Sequence, residues 1–165
     1  MQTVLFICTG NIFRSMTAEY AFRAQNKHAS GQSASAGIEA NMQQMYPPVK
    51  TRIIELGIDP SAHVQRKLTS QLLDAADLPV AMGVDHQAFI REQFDREVPL
   101  FNKVALGTDE PIKDIWEIVP DWNNNEGSRS KYAVYVVETI WDTMPKFIAN
   151  MDGFIDGAQE DIKKG

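Results

Sequence analysis

The chain has 165 residues, a formal net charge of −6 and a single cysteine. This length suits one domain over residues 1–165 with a substantial core, and 23% charged with 44% hydrophobic residues is ordinary for a globular protein. The negative charge argues against nucleic acid as a partner, and the short apolar runs argue against a membrane-spanning protein. One cysteine excludes an intrachain disulfide and suits a reducing, cytoplasmic compartment.

Apolar runs alternate with helical patterns along the chain. Strands are predicted at 3–8, 33–36, 78–82 and 100–106, and helices at 15–27, 46–56, 70–75, 85–94 and 130–150. Residues 108–129 contain prolines and an asparagine run, which predicts a long functional loop, and 153–165 are expected to form a frayed tail. The alternation implies an α/β fold with a parallel sheet covered on both faces, whose site lies beyond the carboxyl ends of the strands.

Residues 8–15 read C-T-G-N-I-F-R-S and lie between the first predicted strand and the first predicted helix. Gly10 and Asn11 are the residue types that most readily adopt positive φ. A loop of this kind directs successive backbone N–H groups into a cup, and the dipole of the following helix adds positive potential. The segment is therefore predicted to bind a phosphate group.

The residues of this loop suit nucleophilic chemistry on phosphorus. Cys8 at the base of the cup is expected to act as a thiolate nucleophile. Arg14 offers two coplanar donors to phosphoryl oxygens, and the Ser15 hydroxyl can donate to the sulfur. A lone apolar-flanked cysteine can also be an inert buried thiol, but an arginine at this offset favours the nucleophile. The predicted phosphate-binding residues are Thr9, Gly10, Asn11, Ile12, Phe13 and Arg14.

These motifs resemble the low-molecular-weight protein tyrosine phosphatases. The loop near the N-terminus is the strongest match, and S-A-G at 35–37, G-I-D-P-S-A-H-V-Q-R-K-L-T at 57–69 and V-P-D at 119–121 support it. The resemblance implies a three-layer α/β/α, flavodoxin-like fold with a four-stranded parallel sheet and a phosphate-binding loop after strand 1. It also implies that Asn11, Ser15, Ser35 and His63 form a network that supports the loop.

The same resemblance implies hydrolysis of phosphotyrosine monoesters through a phosphocysteine intermediate, without cofactor or metal. The expected partner is a phosphotyrosine-containing protein or peptide, with inorganic phosphate as product. Neither nucleic acid nor a membrane is an expected partner, and the expected state is a monomer or weak dimer.

This chemistry needs a general acid to protonate the leaving group, and one carboxyl group can later accept a proton from the attacking water. Asp121 is the predicted acid because it lies in the long loop and matches the aspartate of the family. A turn in which Asp121 bonds its own backbone is the alternative interpretation. Asp114 and Asp109 are the other candidates for the acid.

The chain departs from the family pattern around the predicted cleft. Phe13 replaces a second cysteine that many members carry, so a protective disulfide is impossible. Trp122 replaces the proline after the acid, and three asparagines replace the usual tyrosine pair. The predicted substrate cleft therefore comprises Ile12, Phe13 and Trp122.

The sequence also suggests four alternative functions. An arsenate reductase that uses an external small thiol would need only Cys8, whereas the relay type needs further cysteines. A protein-arginine phosphatase has a similar loop but prefers threonine where Ile12 stands. A phosphate-binding regulatory module would have lost catalysis. A flavodoxin would use a Ser/Thr-rich loop without the cysteine and arginine.

Overall fold

A computed structural model describes residues 2–27 and 31–164, with side chains described as far as 157. The strands of this described part are β1 (Gln2–Cys8), β2 (Gly31–Gly37) and β3 (Leu78–Ala81). Its helices are α1 (Arg14–Gln25), α2 (Pro47–Glu55), α3 (Ser70–Ala75), α4 (Val84–Phe94), α5 (Phe101–Leu106), α6 (Ile115–Ile118) and α7 (Glu126–Lys164). Nothing in this part of the chain forms a helix long and apolar enough to cross a bilayer.

The sheet is parallel, with strand order β2-β1-β3. The central strand β1 is buried over Val4–Cys8, as its continuous apolar run predicts. Its register pairs Cys8 with Gly37 and Ile7 with Ala81. The carboxyl ends of the three strands therefore meet at one edge, and the loop after Cys8 starts from that edge.

The prediction of a fourth strand at 100–106 is wrong, and the described sheet has three strands. Within residues 100–106, only Leu100 pairs with the sheet, through an isolated bridge to Ala81. The next residues form α5, because the buried positions 101, 104 and 105 follow helical spacing rather than alternation. Gly107 ends this helix with a φ of 76°, a left-handed conformation that favours glycine.

The C-terminal half of the chain is more helical than predicted. Helix α6 forms inside the predicted loop 108–129, and α7 begins at Glu126 rather than 130. Helix α7 also continues to Lys164 through the segment expected to fray. Buried Met151 and Ile155, one turn apart, extend its apolar stripe beyond the predicted end, which accounts for the helix as far as residue 155.

Aromatic packing anchors one face of β1 to the helices that cover it. Phe6 of β1 lies 5.3 Å from Phe147 of α7 between ring centroids, and Phe147 stacks on Phe101 of α5 at 5.1 Å. On the opposite face, Leu5 and Ile7 pack in a second cluster with residues of α3 and α4. Helices thus cover both sides of the strand that ends in Cys8.

Phe101→Ala is expected to destabilise the fold by about 3–5 kcal/mol, because it removes a ring that is fully buried against Phe6 and Phe147. Leu106→Ala on the same helix is the matched control, since Leu106 is 47% exposed and should cost less than about 1 kcal/mol. Urea unfolding of both variants measures the difference. Equal losses of stability in the two variants would contradict the finding that only one face of α5 is buried.

Candidate active site

The loop after β1 has the strand–loop–helix form that its sequence predicts. Cys8 is the last residue of β1 and is 2% exposed, and Arg14 is the first residue of α1. Asn11 adopts the left-handed conformation with a φ of 56°, whereas Gly10 does not. A Cβ at Gly10 would lie 3.0 Å from the amide nitrogen of Gln43, which is the end of a flexible side chain.

The carbonyl groups of the loop are turned outward. The oxygens of Cys8, Thr9, Gly10 and Asn11 each have a hydrogen-bond partner outside the loop, at 2.6–3.2 Å. These partners are the backbone N–H groups of Ile38, Glu39 and Ala40 and the side chains of Gln65 and His63. Because the C=O and N–H of a trans peptide point in opposite directions, the N–H groups of residues 9–12 face the interior of the loop. N–H groups that converge in this way can bind an anion, which is the role that the sequence predicts for this loop.

A network of side chains directs a hydroxyl proton to the sulfur of Cys8. The backbone N–H of Arg66 donates to Asn11 Oδ1 at 3.0 Å, which orients the amide of Asn11. Its Nδ2 then donates to Ser15 Oγ at 3.1 Å and to Ser35 Oγ at 2.8 Å. Since Ser15 Oγ accepts from Asn11, its own proton is free for Cys8 Sγ, 2.9 Å away. The structure brings together all four predicted supporting residues.

Glu19 also belongs to this network, and it is not among the site residues that the sequence predicts. Its carboxylate, 5% exposed, accepts hydrogen bonds from Ser35 and from Arg23. A carboxylate can only accept hydrogen bonds, so the Ser35 hydroxyl donates its proton to Glu19. The Ser35 oxygen is then an acceptor for Asn11 Nδ2. The available signal was its position one helical turn after Ser15, on the same face of α1.

Arg14 is buried at 2% exposure and binds two groups of the segment before α6. Its Nη1 donates to the Ile112 carbonyl at 2.8 Å, and its Nη2 donates to Asp114 Oδ2 at 2.8 Å. Asp114 also caps α6, since its Oδ1 accepts from the N–H of Ile115 at 2.7 Å. A carboxyl group is thus held beside the arginine at the end of the Cys8 loop.

Two further contacts hold the segment of Asp114 in place. The N–H of Ile112 donates to the Met82 carbonyl at 2.9 Å, beside the end of β3. The Tyr132 hydroxyl of α7 donates to the Lys113 carbonyl at 2.8 Å. Burial raises the pKa of Tyr132 to about 12, so this hydroxyl remains a donor at neutral pH.

The structure does not bring Asp121 to this site. Asp121 is exposed, and its carboxylate accepts from the Asn124 side chain at 3.0 Å within a local turn. Among the described residues, Asp114 lines the cleft and Asp121 does not. Asp109, the third candidate, lies 3.3 Å from Lys103 on the surface. The physical reason is that Asp114 is the carboxylate that pairs with the buried Arg14.

The cleft above Cys8 has a volume of about 480 Å³, within the usual range for small-molecule sites. The predicted cleft residues Ile12, Phe13 and Trp122 all line it. Tyr46 and Trp116 add further aromatic surface. Among the described residues, no group of three or more His, Cys, Asp or Glu is arranged to hold a metal ion.

Both the sequence and the fold of the chain have matches among known proteins. Residues 3–150 match the family model of the low molecular weight phosphotyrosine protein phosphatases. The chain belongs to this family. A crystal structure of a YwlE mutant from Bacillus subtilis shares the fold, with a TM-score of 0.77 and 23% identity over 92% of this chain and 99% of that chain.

Three curated relatives carry different names. A low molecular weight protein-tyrosine-phosphatase from Acinetobacter johnsonii is 32% identical over 55% of this chain, and a protein-arginine-phosphatase from Bacillus subtilis is 33% identical over 56%. The matched stretch spans 63% of the length of each of these two relatives. An arsenate reductase from Brevibacillus brevis is 32% identical over 79% of this chain and 92% of its own length.

Ser15→Ala is expected to slow the alkylation of Cys8 by iodoacetamide about tenfold, because the thiolate expected at Cys8 would lose its hydroxyl donor. With one cysteine in the chain, the reaction reports on Cys8 alone. Ser70→Ala is the matched control, because Ser70 is exposed at the start of α3. Equal rates for the Ser15 variant and the unmodified protein would contradict the predicted direction of the hydroxyl.

Proposed function

We propose that this protein hydrolyses phosphotyrosine monoesters through a phosphocysteine intermediate, as a metal-independent protein tyrosine phosphatase. The observation that carries the proposal is the position of the Cys8 thiol at the base of the cup, with Arg14 and Asp114 at one side. The membership of the chain in the phosphatase family supports it.

Binding places a phosphate dianion where the loop N–H groups and Arg14 can donate to its oxygens. In the described structure Arg14 Nη2 binds Asp114, so a bound ester competes with that carboxylate for the guanidinium. Substrate binding therefore releases the Asp114 carboxyl group from Arg14 beside the bound ester.

In the first step, the sulfur of Cys8 forms a bond to phosphorus while the bond from phosphorus to the phenolic oxygen breaks. Asp114 transfers its proton to that oxygen, and tyrosine leaves. In the second step, water attacks phosphorus, Asp114 takes the proton of the water, and the sulfur–phosphorus bond breaks. The Ser15 hydroxyl stabilises the departing thiolate, and inorganic phosphate is released.

The general acid is Asp114 in this proposal, in place of Asp121. Arg14 holds the Asp114 carboxylate at the cleft by a hydrogen bond, and the backbone around Asp114 is held by the contacts of Ile112 and Tyr132. Two residues after it, Trp116 supplies an exposed aromatic face in the cleft wall. An acid beside an aromatic wall suits a phenolic leaving group.

The remaining expectations are part of the same proposal. The whole of residues 1–165 acts as one domain, as a monomer or weak dimer, on a phosphotyrosine-containing protein or peptide. A cytoplasmic location is proposed because a thiolate nucleophile without a second cysteine depends on external thiols for rescue from oxidation.

Arsenate reduction with an external small thiol is the second candidate, because the Brevibacillus relative is named an arsenate reductase. That reaction needs only Cys8 from this chain and leaves the aromatic wall and the Asp114 carboxyl without a role. Phosphoarginine hydrolysis is less favoured, because apolar Ile12 lines the cleft where threonine is preferred.

Cys8→Ser is expected to abolish hydrolysis of p-nitrophenyl phosphate, because the thiolate nucleophile is lost. The unmodified protein should retain full activity with a chelator present. Activity that requires an added divalent cation would overturn the mechanism. Arsenate reduction with glutathione, assayed in parallel, tests the second candidate.

Asp114→Asn is expected to lower kcat by about 10²–10⁴ for aryl phosphates with poor leaving groups, and far less for those with good ones. The reason is that a poor leaving group needs protonation as its bond to phosphorus breaks. A series of substituted phenyl phosphates measures this dependence, with Asp121→Asn examined beside it. A loss that depends on the leaving group only in the Asp121 variant would show that Asp121 is the acid.

A further inference from the structure

His86 is a fully buried histidine that the proposed mechanism does not use. It lies in the first turn of α4, beside the carboxyl end of β3 and close to the phosphate-binding loop. Its ring makes two hydrogen bonds. Nδ1 lies 2.9 Å from the backbone nitrogen of Gly83, and Nε2 lies 2.9 Å from Thr9 Oγ1.

The first of these contacts determines the tautomer of the ring. The backbone N–H of Gly83 can only donate, so Nδ1 accepts and the proton resides on Nε2. Nε2–H therefore donates to Thr9 Oγ1, which is nearer than Asp85 Oδ2 at 3.5 Å. Burial and the positive charge of Arg14 lower the pKa of His86 to about 4, against the opposing effects of Asp85 and Asp114. The ring is thus a neutral donor at neutral pH.

The second contact restricts the hydroxyl of Thr9. Besides His86, its described partner is Arg14 Nη2 at 3.5 Å, which is also a donor. With donors on both sides, the hydroxyl proton of Thr9 is directed away from them. Thr9 lines the cleft beside Cys8, so its hydroxyl proton can point into the part of the cleft where a phosphate group would bind.

We propose that His86 is a positioning residue that holds the Thr9 hydroxyl as a donor to a phosphoryl oxygen in the cup. The proposal rests on the proposed phosphate chemistry of this site. A neutral histidine suits the role, because it orients Thr9 without adding a second positive charge beside Arg14. Sequence inspection could not find it, because 77 residues separate His86 from Thr9.

The first test measures competitive inhibition by inorganic phosphate, which reports on ground-state binding without turnover of the probe. His86→Leu and Thr9→Val are each expected to weaken phosphate binding about fivefold, the effect of one lost hydrogen bond. The double variant should bind phosphate no more weakly than either single variant, because both changes remove the same hydrogen bond from Thr9 to phosphate. His86→Gln, which retains an amide donor, should recover part of the affinity.

Ile90→Ala is the matched control, since Ile90 is fully buried on the same helix but belongs to the apolar cluster beneath the sheet. It should lower the stability of the fold and leave the phosphate affinity unchanged. Additive losses in the double variant, or unchanged affinity in Thr9→Val, would overturn the proposal.

A second measurement remains informative if His86→Leu fails to fold. Nitrogen-15 NMR of the unmodified protein should show the Nε2–H tautomer, and the Nε2–H signal should move when inorganic phosphate is added. The same signal should not respond to phosphate in Thr9→Val. An Nδ1–H tautomer would overturn the inference. Hydrolysis that persists in Cys8→Ser would instead overturn the proposed function and leave the phosphate-binding result intact.

Discussion

The left-handed backbone of Asn11 is the constraint on which the rest of the site depends. A positive φ is unfavourable for a residue with a side chain, and it persists because the surrounding structure supports it. Three kinds of polar atom in Asn11 have partners: the carbonyl oxygen contacts His63, Oδ1 accepts from Arg66, and Nδ2 donates to two serines. The bond to His63 holds the Asn11 carbonyl outward, and the bond to Ser15 leaves the Ser15 proton free for Cys8 Sγ. The contacts that support the left-handed backbone therefore also orient the hydroxyl beside the thiol.

Burial of Arg14 imposes the second requirement. A cation removed from water needs an anionic or carbonyl partner, because an unpaired buried charge is strongly unfavourable. Ile112 and Asp114 satisfy that need from a segment distant in the sequence. The same pairing places a carboxyl group in the cleft, so the interaction that stabilises the arginine also supplies the proposed acid. In the proposed function, a bound phosphate group replaces Asp114 as the anionic partner of Arg14.

The cleft wall differs from the family pattern at the residues around Trp122, yet the structure retains an aromatic surface. Tyr46, Trp116 and Trp122 line the same cleft as Phe13. Arg129 of α7 connects two of them, since its guanidinium lies 4.8 Å from the ring centroid of Tyr46 and 6.0 Å from that of Trp122. The aromatic surface of the cleft thus comes from positions other than those of the missing tyrosine pair.

The sequence by itself determined the features that depend on neighbouring residues. The central buried strand, the loop of Cys8 and the helix that starts at Arg14 follow from local hydrophobic pattern and residue type. Only the tertiary structure decided which carboxylate faces Arg14, since the partner is 100 residues away, and it replaced Asp121 by Asp114 at the site. It also made residues 101–106 a helix, because the buried face of Phe101 and Val104 packs against the core. Pairing and packing across such separations depend on the assembled fold, which local pattern does not encode.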